Sequence, residues 1–337
     1  MTRPFLASVT RISDLTPDNF ETRKIDRADW GLGDYVVGRV LDPRGHLSLL
    51  ELPGGRMIEV MQDDLVVGTW GRRSATLEAV GDWEDIGDDG AFNAMTAAGL
   101  FGKVTSLSPF IGSPMPLQYA GHVTRDGEKV TMRGCLREVP QVEFDVPVIL
   151  IVGTSMSAGK TMSGRVIVNI LSRMGLKVVG AKLTGAARYR DMLSFADAGA
   201  SAIFDFVDAG LPSSSVDEAV YREALPRLLS LIAAERPDVV VAEAGASPLE
   251  PYNGDVAKEM IRDHVRFKLL CAQDPYAVVG VQHAFQRAPD LVAGGAANTT
   301  AAIELVHKLS GLPALNLMEP ASREQLGSML REALELD

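Results

Sequence analysis

The chain has 337 residues, 46% of them hydrophobic and 23% charged, enough for two folded domains each with a core of its own. Its 33 basic and 44 acidic residues leave a formal net charge of -11, which argues against nucleic-acid or anionic-membrane partners, because both need a broad positive field. No stretch approaches the roughly 20 apolar residues of a membrane span, so the expected location is the cytoplasm.

Up to about residue 143, short β-rich runs such as "DYVVGRVL", "RMIEVM", "DLVVGTW" and "LQYAGHVT" alternate with Gly, Asp and Pro, predicting a smaller β-rich, barrel-like domain over residues 1–143. "PRGH" and "RDGEK" fit tight hairpin turns. "GDYVVG" at 33–38 is echoed by "DDLVVG" at 63–68, either as a duplicated strand unit in a pseudo-symmetric barrel or by chance among Val-rich strands. "FNAMTAAGLF" over 92–101 reads as a short helix. Arg72 and Arg73 could bind an anion or stay a solvated pair. This half could recognise substrate, cover an active site or mediate a homodimer.

From about residue 144 to 337 the pattern becomes apolar strand, Gly-rich turn and long amphipathic helix, repeated. Strands are expected over 148–152, 177–182, 238–243, 267–272, 290–293 and 313–317, and helices over 159–174, 218–235, 254–263, 298–310 and 321–335. Continuous apolar strands such as "VILIV" suit a parallel sheet covered on both faces. The predicted class is α/β: a doubly wound, mostly parallel P-loop sheet preceded by the β-rich domain, with ligands beyond the C-terminal strand ends.

"GTSMSAGKT" at 153–161 joins the first of these strands to its helix. Backbone N–H groups at a helix start bind phosphate oxygens, a lysine adds a point charge and a threonine hydroxyl ligates magnesium. The reading assigns Gly153, Thr154, Ser155, Ser157, Ala158, Gly159, Lys160 and Thr161 to a nucleotide phosphate chain; the alternative is an ordinary turn with an exposed lysine. Five residues rather than four separate Gly153 from Gly159.

That spacing resembles the G-T-D-T-x-x-G-K-T loop of dethiobiotin synthetase and related ATP-dependent ligases, with Ser155 in place of the loop aspartate. "GAKLTGAARYRD" is similar to the K-P-x-x-T-G element of that family, and "VVVAEAGAS" to its E-G-A-G-G. The resemblance implies ATP and Mg2+ as cofactors, Lys160 and Lys182 as catalytic groups, Glu243 arranging magnesium and ATP, and Thr184 and Gly185 lining the turn beside a small-molecule substrate. It implies an enzyme that activates a carboxylate or carbamate by phosphoryl transfer for ligation or cyclisation.

Each assignment has a plainer counterpart. Lys182 could be a surface lysine ending a strand, and Glu243 a structural ion-pair partner. Asp191, nearest the strand end, could be directed at magnesium or could favour a helix start through the dipole. Arg188 could bind an anionic substrate or remain solvated, and Asn298 or Thr299 could cap a helix, Asn298 alternatively reading a base or substrate. Without an Asn-Lys-x-Asp motif, ATP is favoured over GTP. Cys135 and Cys271 have no metal-site spacing and the five histidines are scattered. A nucleotide-controlled switch and a small-molecule kinase are the other readings of the same loop.

Overall fold

The structure is a computed structural model that describes residues 3–43, 48–245, 247, 249–285 and 288–336. The chain forms two compact units: Met1–Glu138 with Ala186–Arg190 and Phe206–Ala224, and Val139–Gly185 with Asp191–Asp205 and Leu225–Asp337.

In the first unit, strands Leu65–Trp70, Tyr35–Val40, Met115–Arg125, Ala91–Ala94 and Leu100–Leu107 pair in that order, and the last returns to pair parallel with the first. The ring is closed, so these strands leave no open edge between its members. Trp70, Phe92 and Phe101 fill it, with ring centroids 4.9 Å and 5.3 Å apart.

The two echoed hexapeptides sit on strands that pair with each other, Val36 opposite Gly68, Val37 opposite Val67 and Gly38 opposite Val66. Each echo also begins in the same way. The Asp34 carboxylate accepts the N–H of Gly31 at 2.8 Å, and that of Asp64 accepts the N–H of Met61 at 2.7 Å. The two segments thus share a turn contact and pair antiparallel with each other, as a duplicated unit would and as two similar Val-rich strands also can. The glycine of the second copy is required by close approach: a Cβ on Gly68 would lie 2.3 Å from the Gly99 carbonyl oxygen.

The "RDGEK" turn has Asp126 and Gly127 at φ 50° and 84°, the signs a type I' hairpin needs. The "PRGH" turn falls largely on 44–47, outside the described residues. Residues 92–101 are not a helix. They form the end of strand Ala91–Ala94, a turn, and the start of Leu100–Leu107, with Ala94 opposite Phe101. Phe92 and Ala94 alternate into the barrel, and Gly99 at φ 92° carries the turn, so partners available only in the closed ring outweigh local helical preference.

Arg72 and Arg73 are neutralised internally. Arg72 meets Asp82 at 2.6 Å, Glu84 at 2.9 Å and Asp217 at 3.5 Å; Arg73 pairs with Glu78 and donates to the Met95 carbonyl. The anion-binding reading of this pair therefore falls. Also in the first unit, the buried Glu51 carboxylate accepts the N–H groups of Tyr189 at 2.8 Å and Arg190 at 3.0 Å, and the hydroxyl of Ser8.

The second unit contains β1 (Val148–Gly153), α1 (Lys160–Arg173), β2 (Val178–Thr184), α2 (from Asp191 of Tyr189–Asp197), β3 (Ala202–Asp205), α3 (from Leu225 of Glu218–Ala234), β4 (Val239–Ala244), α4 (Gly254–Met260), β5 (Val265–Cys271), α5 (Pro275–Phe285), β6 (Leu291–Ala293), α6 (Thr300–Ser310) and α7 (Pro320–Ala333). Its sheet is parallel throughout, in the order β3-β2-β4-β1-β5-β6. The chain leaves β1 for one side of the sheet, returns through β4, and continues on the other through β5, so β1 ends where the order reverses.

The elements α2, β3 and α5 have no counterpart in the sequence expectation. Phe195 of α2 packs where both neighbours are glycine: a Cβ on Gly164 or Gly180 would lie 2.3 Å or 2.7 Å from its ring. The expected strand 313–317 reduces to one bridge, Val292 with Ala314, because Pro313 has no N–H and the chain turns at Asn316, whose side chain accepts the Met318 N–H at 3.1 Å.

All three tryptophans, Trp30, Trp70 and Trp83, lie in the first unit, so tryptophan fluorescence reports its unfolding alone. Asp34 also meets Lys129 at 2.7 Å and lies 3.3 Å from His122 Nε2, whereas Asp64 serves chiefly its turn. In urea titrations Asp64→Ala should destabilise this unit by about 1–2 kcal/mol and Asp34→Ala by about 2–4 kcal/mol.

Candidate functional site

Strand β1 ends at Gly153 and α1 begins at Lys160, with Gly159 between them at φ 94°. The intervening loop is held at two points. Thr154 donates its N–H to the Cys271 carbonyl of β5 at 3.0 Å, and Gly294 after β6 lies so near the other end that a Cβ there would be 2.4 Å from the Ala158 oxygen. The Gly294 contact is long-range, and only the "GG" after an apolar strand hinted at it in the sequence.

Three charged side chains are buried around this loop: Lys160, Lys182 and Glu243. Strand register brings them together, since Glu243 of β4 lies opposite Ile151 of β1 and opposite Lys182 of β2. Asp205 of β3 stands opposite Lys182 on its other side. The Lys160 ammonium donates to the Ser155 carbonyl at 2.6 Å, and the Thr161 hydroxyl donates to Glu243 Oε2 at 3.1 Å. Lys182 pairs with Asp191 at 2.8 Å.

Burial drives Lys160 below the ordinary lysine range, and the neighbouring Glu243 only partly offsets it. Burial acts on Lys182 in the same sense, but Asp191 and Glu243 together more than cancel it and raise that ammonium above the ordinary range. Two lysines on adjacent elements are thereby set differently: Lys182 is locked in its charged form, while Lys160 is short of a counter-ion. An arriving phosphate is the counter-ion such a group lacks.

Glycines make room for both stems. A Cβ on Gly153 would lie 2.8 Å from Lys160 Cδ, and Cβ atoms on Gly185 and Gly245 would lie 3.2 Å and 3.3 Å from Lys182 Cε. Thr184 is buried and donates to the Gly245 carbonyl at 2.9 Å, which ties the turn after β2 to the end of β4. Ala158 is buried and Ser157 exposed. The Ser155 hydroxyl is buried with no hydrogen-bond partner among the described residues.

The remaining expected residues lie otherwise. Asp191 is held by Lys182, and Arg188 is an exposed residue of the first unit. Asn298 is exposed, and Thr299 caps α6 by accepting the Ala302 N–H at 3.2 Å. Cys271, which sequence reasoning left aside, donates its thiol to Ser163 at 3.4 Å; burial pushes it up to about 11, so it stays protonated beside the loop at neutral pH.

Among the described residues no group of three or more His, Cys, Asp or Glu is gathered as for a metal ion, and no helix is long and apolar enough to cross a membrane. Magnesium needs less: one or two carboxylates or hydroxyls beside phosphate oxygens and water. The Thr161 hydroxyl and Glu243 carboxylate, hard oxygen donors already in contact, fit that requirement.

A parallel sheet whose first strand runs through a Gly-rich loop into a helix opening with Lys-Thr, with an acid ending the adjacent strand, is similar in arrangement to the phosphate-binding loops of P-loop proteins. No family model matches the chain, and none of the curated proteins matches it. Among solved structures, HypB from Helicobacter pylori in complex with nickel is 16% identical, with 56% of this chain and 87% of that chain covered and a TM-score of 0.39. Chloroplast FtsY from Physcomitrella patens is 16% identical, with 58% and 67% covered and a TM-score of 0.38. A DUF1611 family protein from Anabaena variabilis is 13% identical, with 59% and 61% covered and a TM-score of 0.35.

Two outcomes follow from the loop geometry. Gly153→Ala should displace the Lys160 stem and weaken any binding of nucleoside triphosphate at the loop at least about tenfold, measured by calorimetry, with thermal unfolding nearly unchanged. The depressed Lys160 pKa gives a sign for pH. Phosphate favours the protonated form, so above the free-state pKa binding takes up a proton and affinity falls as pH rises, beginning below the range where an ordinary lysine titrates. Calorimetry in buffers of different ionisation enthalpy reads that uptake directly.

Proposed function

We propose that the chain is an ATP- and magnesium-dependent enzyme that activates a small-molecule carboxylate or carbamate by phosphoryl transfer for ligation or cyclisation. The observation that carries this reading is the second buried lysine. A nucleotide switch needs only the lysine of its loop, whereas here Lys182 is also buried, charged and in register with Glu243 at the next strand end. A cation in that place suits an acidic acceptor or a migrating phosphoryl group.

Bound ATP with magnesium would supply the transferable phosphoryl group. Lys160 turns from the Ser155 carbonyl to the terminal phosphate oxygens, and the backbone N–H groups entering α1 hold the chain of phosphates. Thr161 and Glu243 would hold magnesium, which would screen the phosphate charge. Lys182 orients the acceptor carboxylate, and Asp191 keeps that lysine placed and charged until the acceptor arrives. No protein nucleophile is required, and the protonated Cys271 thiol is not one.

The test uses full-length protein with ATP, magnesium and a panel of small carboxylic acids and amines, following ADP. Acceptor-dependent ADP release is expected, abolished in Lys160→Ala and reduced at least about 100-fold in Lys182→Ala, while Lys182→Ala keeps ATP affinity within about threefold. ADP release that ignores every acceptor and survives Lys182→Ala would instead identify a nucleotide-controlled switch. A stable phosphorylated acceptor as end product would identify a kinase.

A further inference from the structure

Lys182 and Asp191 pair in the second unit, yet the five residues Ala186–Arg190 that separate them along the chain belong to the first. There the short segment is held at several points. Ala186 bridges antiparallel to Ser213, and the Tyr189 ring lies 4.4 Å from the Arg11 guanidinium, which in turn pairs with Asp208 at 3.1 Å. The N–H groups of Tyr189 and Arg190 go to the carboxylate of Glu51.

Helix α2 starts inside this segment, and the sequence before it, Gly185-Ala186-Ala187-Arg188, offers no Ser, Thr, Asp or Asn to cap it. A helix of nine residues is marginal on its own, and its first N–H groups have no acceptor within it. Glu51, 138 residues before Tyr189, supplies the missing cap: Oε1 accepts the Tyr189 N–H at 2.8 Å and Oε2 the Arg190 N–H at 3.0 Å, where the helix dipole also favours a negative charge. The cap is itself anchored. Glu51 donates its own N–H to the Ala97 carbonyl at 2.8 Å, its carboxylate also receives the Ser8 hydroxyl, and the neighbouring Val9 donates to the Ala98 carbonyl at 3.0 Å. Both residues that fix the carboxylate are thus tied to the turn that Gly99 carries.

We propose that Glu51 is a positioning residue for Lys182, acting through α2. Asp191 is the third residue of that helix and follows Arg190 directly, so the carboxylate that sets the first two N–H groups also sets the turn of backbone from which Asp191 reaches the Lys182 ammonium at 2.8 Å. A buried ammonium needs an acid beside it, and the start of α2 decides whether that acid is in place. What the first unit supplies is the beginning of the helix, and with it the position of Asp191. The consequence for chemistry rests on the reading of Lys182 as the cation that orients an acceptor; the positioning itself does not.

The experiment follows hydrogen exchange of the Lys182 ammonium by NMR at one fixed pH, in the nucleotide-free full-length chain carrying 15N-labelled lysine, with the signal identified by its absence from Lys182→Met. Asp191→Asn and Glu51→Gln should each speed that exchange at least about tenfold, the latter while tryptophan fluorescence still reports cooperative urea unfolding of the first unit. Glu51→Gln combined with Asp191→Asn should exchange no faster than Asp191→Asn alone, because the first change acts only through the second residue. Ser8→Ala, which removes one donor from the carboxylate and leaves the cap, is the milder variant for use if Glu51→Gln does not fold, and should quicken exchange about threefold. Unchanged exchange in whichever of these two variants is folded, or a double variant faster than Asp191→Asn by the full Glu51→Gln factor, would overturn the proposal. Absence of acceptor-dependent ADP release would count against the ligation reading instead, and leaves these spectra unaffected.

Discussion

Two ammonium groups are buried at the ends of neighbouring elements, and much of the second unit follows from keeping them there. An unpaired buried charge costs several kcal/mol, so each lysine needs compensation close by. Lys182 receives it from Asp191 and from Glu243, one strand away in register. Lys160 receives less, a carbonyl oxygen and a carboxylate partly committed to Thr161. The glycines around them are the steric counterpart of that arrangement. Gly153 and Gly185 leave room for the stems of Lys160 and Lys182, and Gly245 leaves room for the Thr184 carbonyl, 2.2 Å from where its Cβ would lie, with the Lys182 stem beyond it. What resembles a flexible loop in composition is a tightly specified pocket for two cations.

The first unit shows the same economy in uncharged form. Its closed ring brings strands so near that Gly38 and Gly68, the matching glycines of the two echoed segments, each face a neighbour where a side chain would clash. The aspartate at the second position of each segment accepts the N–H three residues back, and Asp34 adds contacts with Lys129 and His122. A turn fixed by its own carboxylate, followed by a strand with a glycine at the crossing, is a unit that can be used twice, because each copy supplies what the other must pack against.

What could be read from the sequence was what is local. The alternation of apolar strand and amphipathic helix places β1, β2, β4, β5 and β6 within about two residues, and the Gly-Lys-Thr junction, Lys182 and Glu243 stand out because each ends an apolar run. Residues 92–101 misled because "FNAMTAAGLF" has the composition of a helix, while its conformation is decided by Phe101 pairing with Ala94 across a turn at Gly99. Helix α2 was invisible because its stability lies in Phe195 filling the space over Gly164 and Gly180, positions distant in sequence. Arg72 and Arg73 looked available for an anion because the strand pairing that sets Arg72 against Asp82 and Glu84, and the turn that sets Arg73 against Glu78, are not legible as ion pairs in the sequence. Asp191 was read toward magnesium, yet its neighbour in space is Lys182; an acid nine residues after a buried lysine can serve either, and only the fold selects.

Ser155 is where the residues of the loop bear most directly on chemistry. Its hydroxyl is buried and has no partner among the described residues, a state that proteins rarely leave uncompensated. Its own carbonyl holds the Lys160 ammonium, so when that ammonium turns to phosphate, the carbonyl loses a donor at the moment the loop gains an anion. A hydroxyl can answer both changes, because it both donates and accepts, whereas an ionised aspartate at the same place could only accept. The charged groups beside the loop are Glu243 and Lys182, set opposite each other by the strand register, and Asp191, which pairs with Lys182.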